Sequence, residues 1–506
     1  MARKESPTGA YKARAEVAFG PLWKSEGFIV PLSGPGTTEP GPREGTLLCS
    51  CNQRVEDQGI AMTLTTPEKI RTLQRKLYTK AKQEPGYRFY ALYDKLCRTD
   101  ILDHAYRLVR SSKGASGIDG ITFEAIEAGE GQEAFVRKLQ EQMESKTYQA
   151  DAVRRVWIPK PDGGKRPLGI PTIRDRVVQM AAKIVLEPIF EADFCESSYG
   201  FRPKRSAHDA VDAVANALLT GHAQVIDADL SKYFDTIPHA KLLAVVAERI
   251  SDGAVLALIK QWLKAPVVEE EEDGTRRTSG GGKGNRKGTP QGGVISPLLS
   301  NLYLHILDRI WERHELETRY RARLVRYADD LVILCARGVD APMAMLRKVL
   351  GRLDLSLNET KTRVVDAREE SFDFLGFSIA LRRSYKSGKV HPHVEPSKRS
   401  VQRIKDRTRE LTDRRRTPVP MSRIIAELNL TLRGWSNYFH YRNCTDVMSK
   451  VKTHVEERVR THLRRRHKLA DRTQGYKHFP RDVIYGRYGL FKLSTTAPWE
   501  SAHALV

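Results

Sequence analysis

Cysteine is scarce in this chain, with six in 506 residues, and only Cys49 and Cys51 lie close together. With no second close pair there is no four-thiolate zinc site, and nothing in the spacing suggests a disulfide scaffold. Reduced thiols in a cytosolic setting are the simple expectation. Long hydrophobic runs are missing as well. The longest, such as Leu331 to Ala336, fall far short of the roughly 20 apolar residues that a bilayer-spanning helix needs. The opening residues, MARKESPTGAYKARAEVAFG, hold no apolar stretch ahead of a small-residue cleavage site. A cytoplasmic protein with no membrane partner is expected, and no repeat of solenoid period is found.

What the chain has in excess is positive charge. Lys and Arg number 85 against 62 Asp and Glu, a formal +23, which is the sign that attracts a phosphate backbone. A solvated basic surface is the plain alternative, but the charge is clustered. Between Ser397 and Arg416 nine Lys or Arg face three acids, and between Lys452 and Arg472 eight face three. Such blocks imply contact with RNA or DNA backbones and association with the nucleoid or a ribonucleoprotein.

Residues 1–61 are rich in Gly, Pro and Thr without an apolar period, and read as a flexible N-terminal extension. A helical pattern begins after Met62, which makes that residue an alternative translation start. From about 110 to 390, helical stretches alternate with β-rich runs such as VRRVWI, AQVIDADL and RLVRYADDLVILC, the pattern of an α/β or α+β catalytic body. The charged, Gly-rich segment EEEEDGTRRTSGGGKGNRKG is expected at an exposed hairpin tip or loop. Past residue 395, basic helices replace strands. The run MSRIIAELNLTLRGWSNYFHY has Ser422 as an expected N-cap and apolar residues at 424, 425, 428, 432 and 435, an amphipathic helix.

Acidic residues carry the chemistry. In RLVRYADDLVIL two apolar runs meet at Ala-Asp-Asp, which places Asp329 and Asp330 at a tight turn. Carboxylates gathered there call for a positive partner. Asp229 ends the β-like run AQVIDADL. Two strand ends presenting carboxylates can converge on hard cations such as Mg²⁺, which favour oxygen ligands and leave positions for water and substrate phosphate. Such a pair of ions suits nucleotidyl transfer. Two adjacent acids in a turn are ordinary on their own.

The wider context is a series of motifs: KGASGIDGIT (113–122), VWIPKPDGGKRPLGIPTIRDRVVQ (156–179), SSYGFRPKRSAHDAV (197–211), DADLSKYFDTIPH (227–239), GTPQGGVISPLLSNLYLHILD (288–308), RYADD (326–330), LNETKT (357–362) and FDFLGF (372–377). In content and order they resemble the group II intron reverse transcriptase and maturase family, over about residues 62–506. The resemblance implies an α+β right-hand polymerase. Fingers and palm would occupy 62–390, a thumb or maturase domain 391–455, and a small basic nucleic-acid-binding module 456–506.

It also implies that Asp229 and Asp329 bind two Mg²⁺ ions, with Mn²⁺ as a substitute, and that Asp330 supports them less directly. Asp227 and Asp235 would lie outside that role. Phe234 would crowd the 2′ position of the incoming deoxynucleoside triphosphate, although without the motif a Phe there reads first as core. Lys160 and Arg166 would meet the triphosphate, and Gln291 would border the nucleotide pocket, with Gly292 and Gly293 allowing close backbone approach. Lys361 and the Leu375-Gly376 step would lie near the primer terminus, and the small Ala328 after Tyr327 would leave that terminus room. Arg202, Arg433, Trp435, Tyr438, Arg464, Arg465 and Arg466 are the expected RNA and DNA contacts.

The implied partners are group II intron RNA, an RNA template with a DNA primer, and target DNA. The implied function is reverse transcription together with assistance to splicing and intron mobility. Many relatives carry a C-terminal endonuclease with paired Cys-x-x-Cys motifs, and no cysteine follows Cys444 here, so an endonuclease-lacking member is expected. Two alternatives stand beside this reading: a domesticated reverse transcriptase acting in repair or defence, and an RNA-binding splicing maturase that does not polymerise.

Overall fold

The structure is a computed structural model that describes residues 65–159, 164–270, 275–384 and 387–496. The N-terminal extension, Met62 and Lys160 lie outside the described residues. Helices and strands are mixed along the chain. The strands are β1 (Val153–Pro159), β2 (Lys165–Ile170), β3 (Gln224–Ala228), β4 (Val267–Glu270), β5 (Arg276–Gly280), β6 (Ala322–Tyr327), β7 (Asp330–Cys335), β8 (Arg363–Asp366), β9 (Phe372–Phe374), β10 (Phe377–Arg383) and β11 (Val390–Pro396).

The chain divides into two compact units, each built from separated stretches. The first holds the residues up to Ser206, Lys232–Ile306 and Leu353–Leu355. Its sheet has the order β2-β1-β4-β5, in which β1 runs antiparallel to β2 and parallel to β4. β4 pairs antiparallel with β5, with Glu270 opposite Arg276, and the expected tip of the charged, Gly-rich segment, 271–274, lies outside the described residues. The helix Glu68–Gln83 buries Ile70, Gln74, Leu77 and Ala81, a stripe at helical spacing. The helix Ile173–Glu191 starts where the Thr172 hydroxyl accepts from the Asp175 amide, and it is buried on nearly every side, as its apolar run VVQMAAKIVL requires.

The second unit holds Ala207–Ser231, Leu307–Arg352 and Ser356 onward. Its main sheet has the order β6-β7-β3-β8 with every neighbouring pair antiparallel. In β7 all residues after Asp330 are buried, consistent with a short continuous apolar run covered on both faces. A second sheet, β11-β10-β9, precedes the basic helices Lys398–Leu411, Met421–Phe439 and Thr445–Arg466. Their shared core includes Ile404, Ile424, Leu428, Leu432, Val455 and Val459. The helix Met421–Phe439 begins one residue before the expected cap. Pro420 stands at the N-cap with no side-chain hydrogen bond, and Ser422 falls inside the first turn. The fixed φ of proline presets the helical entry without a hydroxyl.

Cys97, Cys195, Cys335 and Cys444 are all buried, and none forms a disulfide. Burial pushes the Cys335 thiol up to about 12, which leaves it unreactive. Among the described residues no helix is long and apolar enough to cross a membrane.

One buried acid sets a stability trend. Asp175 accepts hydrogen bonds from the Tyr148 hydroxyl at 2.6 Å and the Asp151 amide at 2.9 Å, yet burial dominates and raises its pKa from 3.8 to about 6. The folded state therefore holds this proton more tightly than the unfolded chain. The stability that the proton contributes is present below pH 3.8 and is lost as pH rises to about 6. Thermal melts of Asp175→Asn against wild type should show the variant gaining on wild type across that window. A difference that does not vary with pH contradicts the assignment.

Candidate active site

In the second unit, the antiparallel pairing of β3 with β7 ends with Ala228 opposite Leu331. The residue that follows β3 is Asp229, and the residue before Leu331 is Asp330, so the register brings Asp229 alongside the acidic turn. That turn joins β6 to β7, with Tyr327 paired to Asp330 and only Ala328 and Asp329 between them. Ala328 has φ of +57°, while Asp329 does not have a positive φ, so the turn is not type I′. Asp329 is half-buried and Asp330 exposed, which separates the two acids as strand alternation demands.

Positive charge stands beside the half-buried Asp229. Lys361 Nζ lies 3.8 Å from Asp229 Oδ2, and the Asn358 amide donates to the same oxygen at 3.0 Å. The backbone locks this corner, because the Asn358 N–H donates to the Asp229 carbonyl at 2.8 Å. Asp227 is set apart. Arg363 pairs with it at 3.5 Å, and burial raises its pKa against that cation's pull. Asp235 lies exposed in the first unit. The Leu375-Gly376 step is the two-residue turn between β9 and β10, with φ of +50° and +81°, the type I′ pattern.

The first unit gathers the expected nucleotide-contacting residues that are described. β1 and β2 form a hairpin with Pro159 opposite Lys165. On β2, Arg166 Nε donates to Gln291 Oε1 at 3.0 Å, so two residues that the resemblance places at the nucleotide are in direct contact. The Gly169 N–H donates to the Gln291 carbonyl at 2.5 Å. Gly292 has φ of +112°, and a Cβ there would stand 2.3 Å from the Gly169 carbonyl oxygen, so no side chain fits. Beside them is a cavity of about 170 Å³ whose lining includes Arg155, Gly169, Asp235, Lys287 and Gln291. Tyr233 takes the core position next to Phe234, its hydroxyl donating to the Ser300 carbonyl at 2.6 Å. Phe234 itself is only half-buried, and its carbonyl accepts from the Thr289 amide at 2.7 Å.

Residues 158–379 match the family described as reverse transcriptase (RNA-dependent DNA polymerase), and residues 401–479 match the maturase-specific domain of group II introns. Protein YkfC of Escherichia coli is 36% identical over 353 residues, 62% of this chain and 89% of that protein. The group II intron-encoded protein LtrA of Lactococcus lactis is 31% identical over 368 residues, 60% of this chain and 59% of that protein. The chain belongs to the group II intron reverse transcriptase and maturase family. A 91 kDa protein in the cob intron of Schizosaccharomyces pombe is 25% identical over 425 residues, 50% of its length. The chain thus spans well over four-fifths of the first of these relatives and between half and three-fifths of the others.

Within the family's maturase-specific segment, the expected nucleic-acid contacts divide into two groups. Arg433 and Arg465 are exposed, Arg433 lying over the Phe491 ring at 4.8 Å. Arg403, Arg414 and Arg415 are exposed too, as are Lys398 and Arg399 just ahead of the segment. Others are engaged in packing. Arg464 reaches the Ala470 carbonyl at 3.1 Å, and Arg466 reaches those of Thr417 and Val419 at 2.8 and 2.7 Å. Trp435 packs on the helical core, with its ring 5.2 Å from Phe439. The Tyr438 hydroxyl donates to the Leu375 carbonyl at 2.9 Å.

Arg202 departs furthest from a surface role. Its guanidinium is buried, pairs with Glu191 at 2.7 Å, and donates to the carbonyls of Cys195 and Ser198 at 2.6 and 2.7 Å. The segment SSYGFRPKRS carries its arginine inward to hold a loop, which the basic character of the motif does not reveal. Arg202→Met should lower stability by about 3–5 kcal/mol by leaving Glu191 unpaired. Denaturant melts and RNA-binding titrations check this: RNA affinity of the folded variant should match wild type, and a large loss of affinity with unchanged stability contradicts it.

Proposed function

We propose that this chain is an RNA-directed DNA polymerase that also binds group II intron RNA, assisting splicing and moving the intron by target-primed reverse transcription. The observation that carries the reading is the β3–β7 register, which sets Asp229 beside the Asp329-Asp330 turn inside the segment matching the reverse transcriptase family. In this reading the first unit's β1–β2 hairpin belongs to the fingers, the β6-β7-β3-β8 sheet to the palm and the C-terminal helices to the thumb.

The donor set fits hard divalent cations. Asp229 and Asp329 offer only oxygen and are partly open to solvent, and Lys361 beside Asp229 marks a place where positive charge is favoured. Among the described residues no three acidic, histidine or cysteine side chains are gathered as a ready metal cluster, so the fit rests on the two strand ends. Asp229 and Asp329 would hold Mg²⁺, or Mn²⁺ in its place, with Asp330 in support. When bound, the ions activate the primer 3′-hydroxyl and neutralise the leaving pyrophosphate.

The chain's own groups supply position and selectivity. Arg166, held by Gln291, would meet the triphosphate of a deoxynucleotide, where its charge would complement that developing in the transition state. Lys160 is assigned the same partner. Phe234, half-buried while Tyr233 fills the core, would exclude a 2′-hydroxyl. The exposed cations of the maturase-specific segment supply backbone contacts to intron RNA and the template–primer duplex, independent of sequence. Association with a ribonucleoprotein follows from those contacts.

Primer extension on an RNA template with Mg²⁺ and deoxynucleotides tests the reading. Wild type should extend, and Asp329→Ala should lose more than about a hundredfold of that rate. RNA affinity should stay within about threefold, since it rests on distributed charge. A folded, RNA-binding wild type that does not extend contradicts the polymerase reading.

A further inference from the structure

We propose that Arg326 and Asp308 form a positioning clamp that sets the geometry of the acidic turn from beneath, and that neither touches substrate or metal. The inference rests on the polymerase reading above. Arg326 is the second-last residue of β6, and Asp308 lies on the helix Ser296–Arg313, whose residues from Leu307 on belong to the second unit. Both side chains are completely buried. Arg326 Nε donates to Asp308 Oδ1 at 2.9 Å and to Oδ2 at 3.2 Å, and Nη2 donates to Oδ2 at 2.5 Å. The remaining nitrogen, Nη1, donates to the Ala328 carbonyl at 2.9 Å. One rigid, planar cation therefore joins a helix to the central peptide of the turn.

Stability alone does not account for such a pair. Removing two charges from water costs several kcal/mol each, and apolar replacements of similar volume are often as stable or more so. What the pair uniquely supplies is direction. The Ala328 carbonyl belongs to the peptide plane whose far corner is the Asp329 Cα, so holding that oxygen fixes the plane from which the Asp329 side chain departs. Rotating that peptide by half a turn would reverse the Ala328 carbonyl and demand a positive φ at Asp329. The guanidinium holds the carbonyl in the orientation found. The same helix grips the other end of β6, where the Trp311 indole N–H donates to the Ala322 carbonyl at 2.9 Å. The strand leading into the turn is thus pinned at both ends.

Two variants separate the clamp from simple fold maintenance. Arg326→Lys keeps the charge and can pair with Asp308, but it cannot hold the carboxylate and the Ala328 carbonyl together. The double variant Asp308→Leu/Arg326→Met replaces the pair with apolar volume and should retain the wild-type melting temperature, or exceed it. In primer extension, both should lose about ten- to a hundredfold in kcat, the cost of a carboxylate misplaced by about an ångström. The KM for deoxynucleotide should stay within about threefold, because ground-state binding is untouched. The Mg²⁺ concentration for half-maximal rate should rise, which a merely structural pair would not cause. A folded double variant with wild-type kcat and Mg²⁺ dependence overturns the clamp while leaving the polymerase reading intact. An inactive wild type overturns that reading and the clamp's catalytic role with it.

Discussion

The pairing of β3 with β7 is the constraint on which the second unit turns. Side chains on a strand alternate between faces, so a slip of one residue would carry Asp229 to the opposite side of the sheet and break the packing of Val225 and Ile226 against their present neighbours. Both of those residues are completely buried, and so are their partners Leu334 and Ile333. The apolar core therefore enforces the register, and the register positions the acids. β8 strengthens the arrangement from the other side by pairing with β3 from Gln224 to Asp227, and the Asn358 corner ties its approach to the Asp229 backbone.

Positive charge does two physically different jobs in this chain. Arg202, Arg326, Arg464 and Arg466 turn inward, where guanidinium groups hold carbonyls and carboxylates in fixed geometry. Arg399, Arg403, Arg415, Arg433 and Arg465 face solvent, where they contribute little to stability and remain available to phosphates. A net charge of +23 therefore overstates the surface offered to nucleic acid. A mutational scan that treats all arginines alike would confuse loss of fold with loss of binding.

Much of the candidate site is legible in the amino-acid sequence. Two apolar runs converging on Ala-Asp-Asp predict a tight hairpin, and the turn between Tyr327 and Asp330 is one. The helical stripe at 424, 425, 428 and 432 is buried as its spacing predicts. Strand partnership is not legible, because period-two alternation says which face is buried but not which strand lies alongside. The fate of individual arginines is also hidden. Arg202 sits in a basic, polar segment that gives no hint of burial. Arg326 does leave a signal, one that motif reading passes over: it shares a face with Leu324 and Ala328, so a charge stands where the alternation calls for an apolar residue. A charged residue at such a position is a prompt to look for a buried partner.

The central claim is that Asp229 and Asp329 together hold the divalent ions over the primer end. The most direct measurement is anomalous scattering from crystals of the full chain with a chain-terminated primer on an RNA template, a deoxynucleoside triphosphate and Mn²⁺. The account predicts a manganese peak bridging carboxylate oxygens of both residues at roughly 2.0–2.3 Å. A peak at Asp227 instead, or none within reach of Asp229, would contradict it.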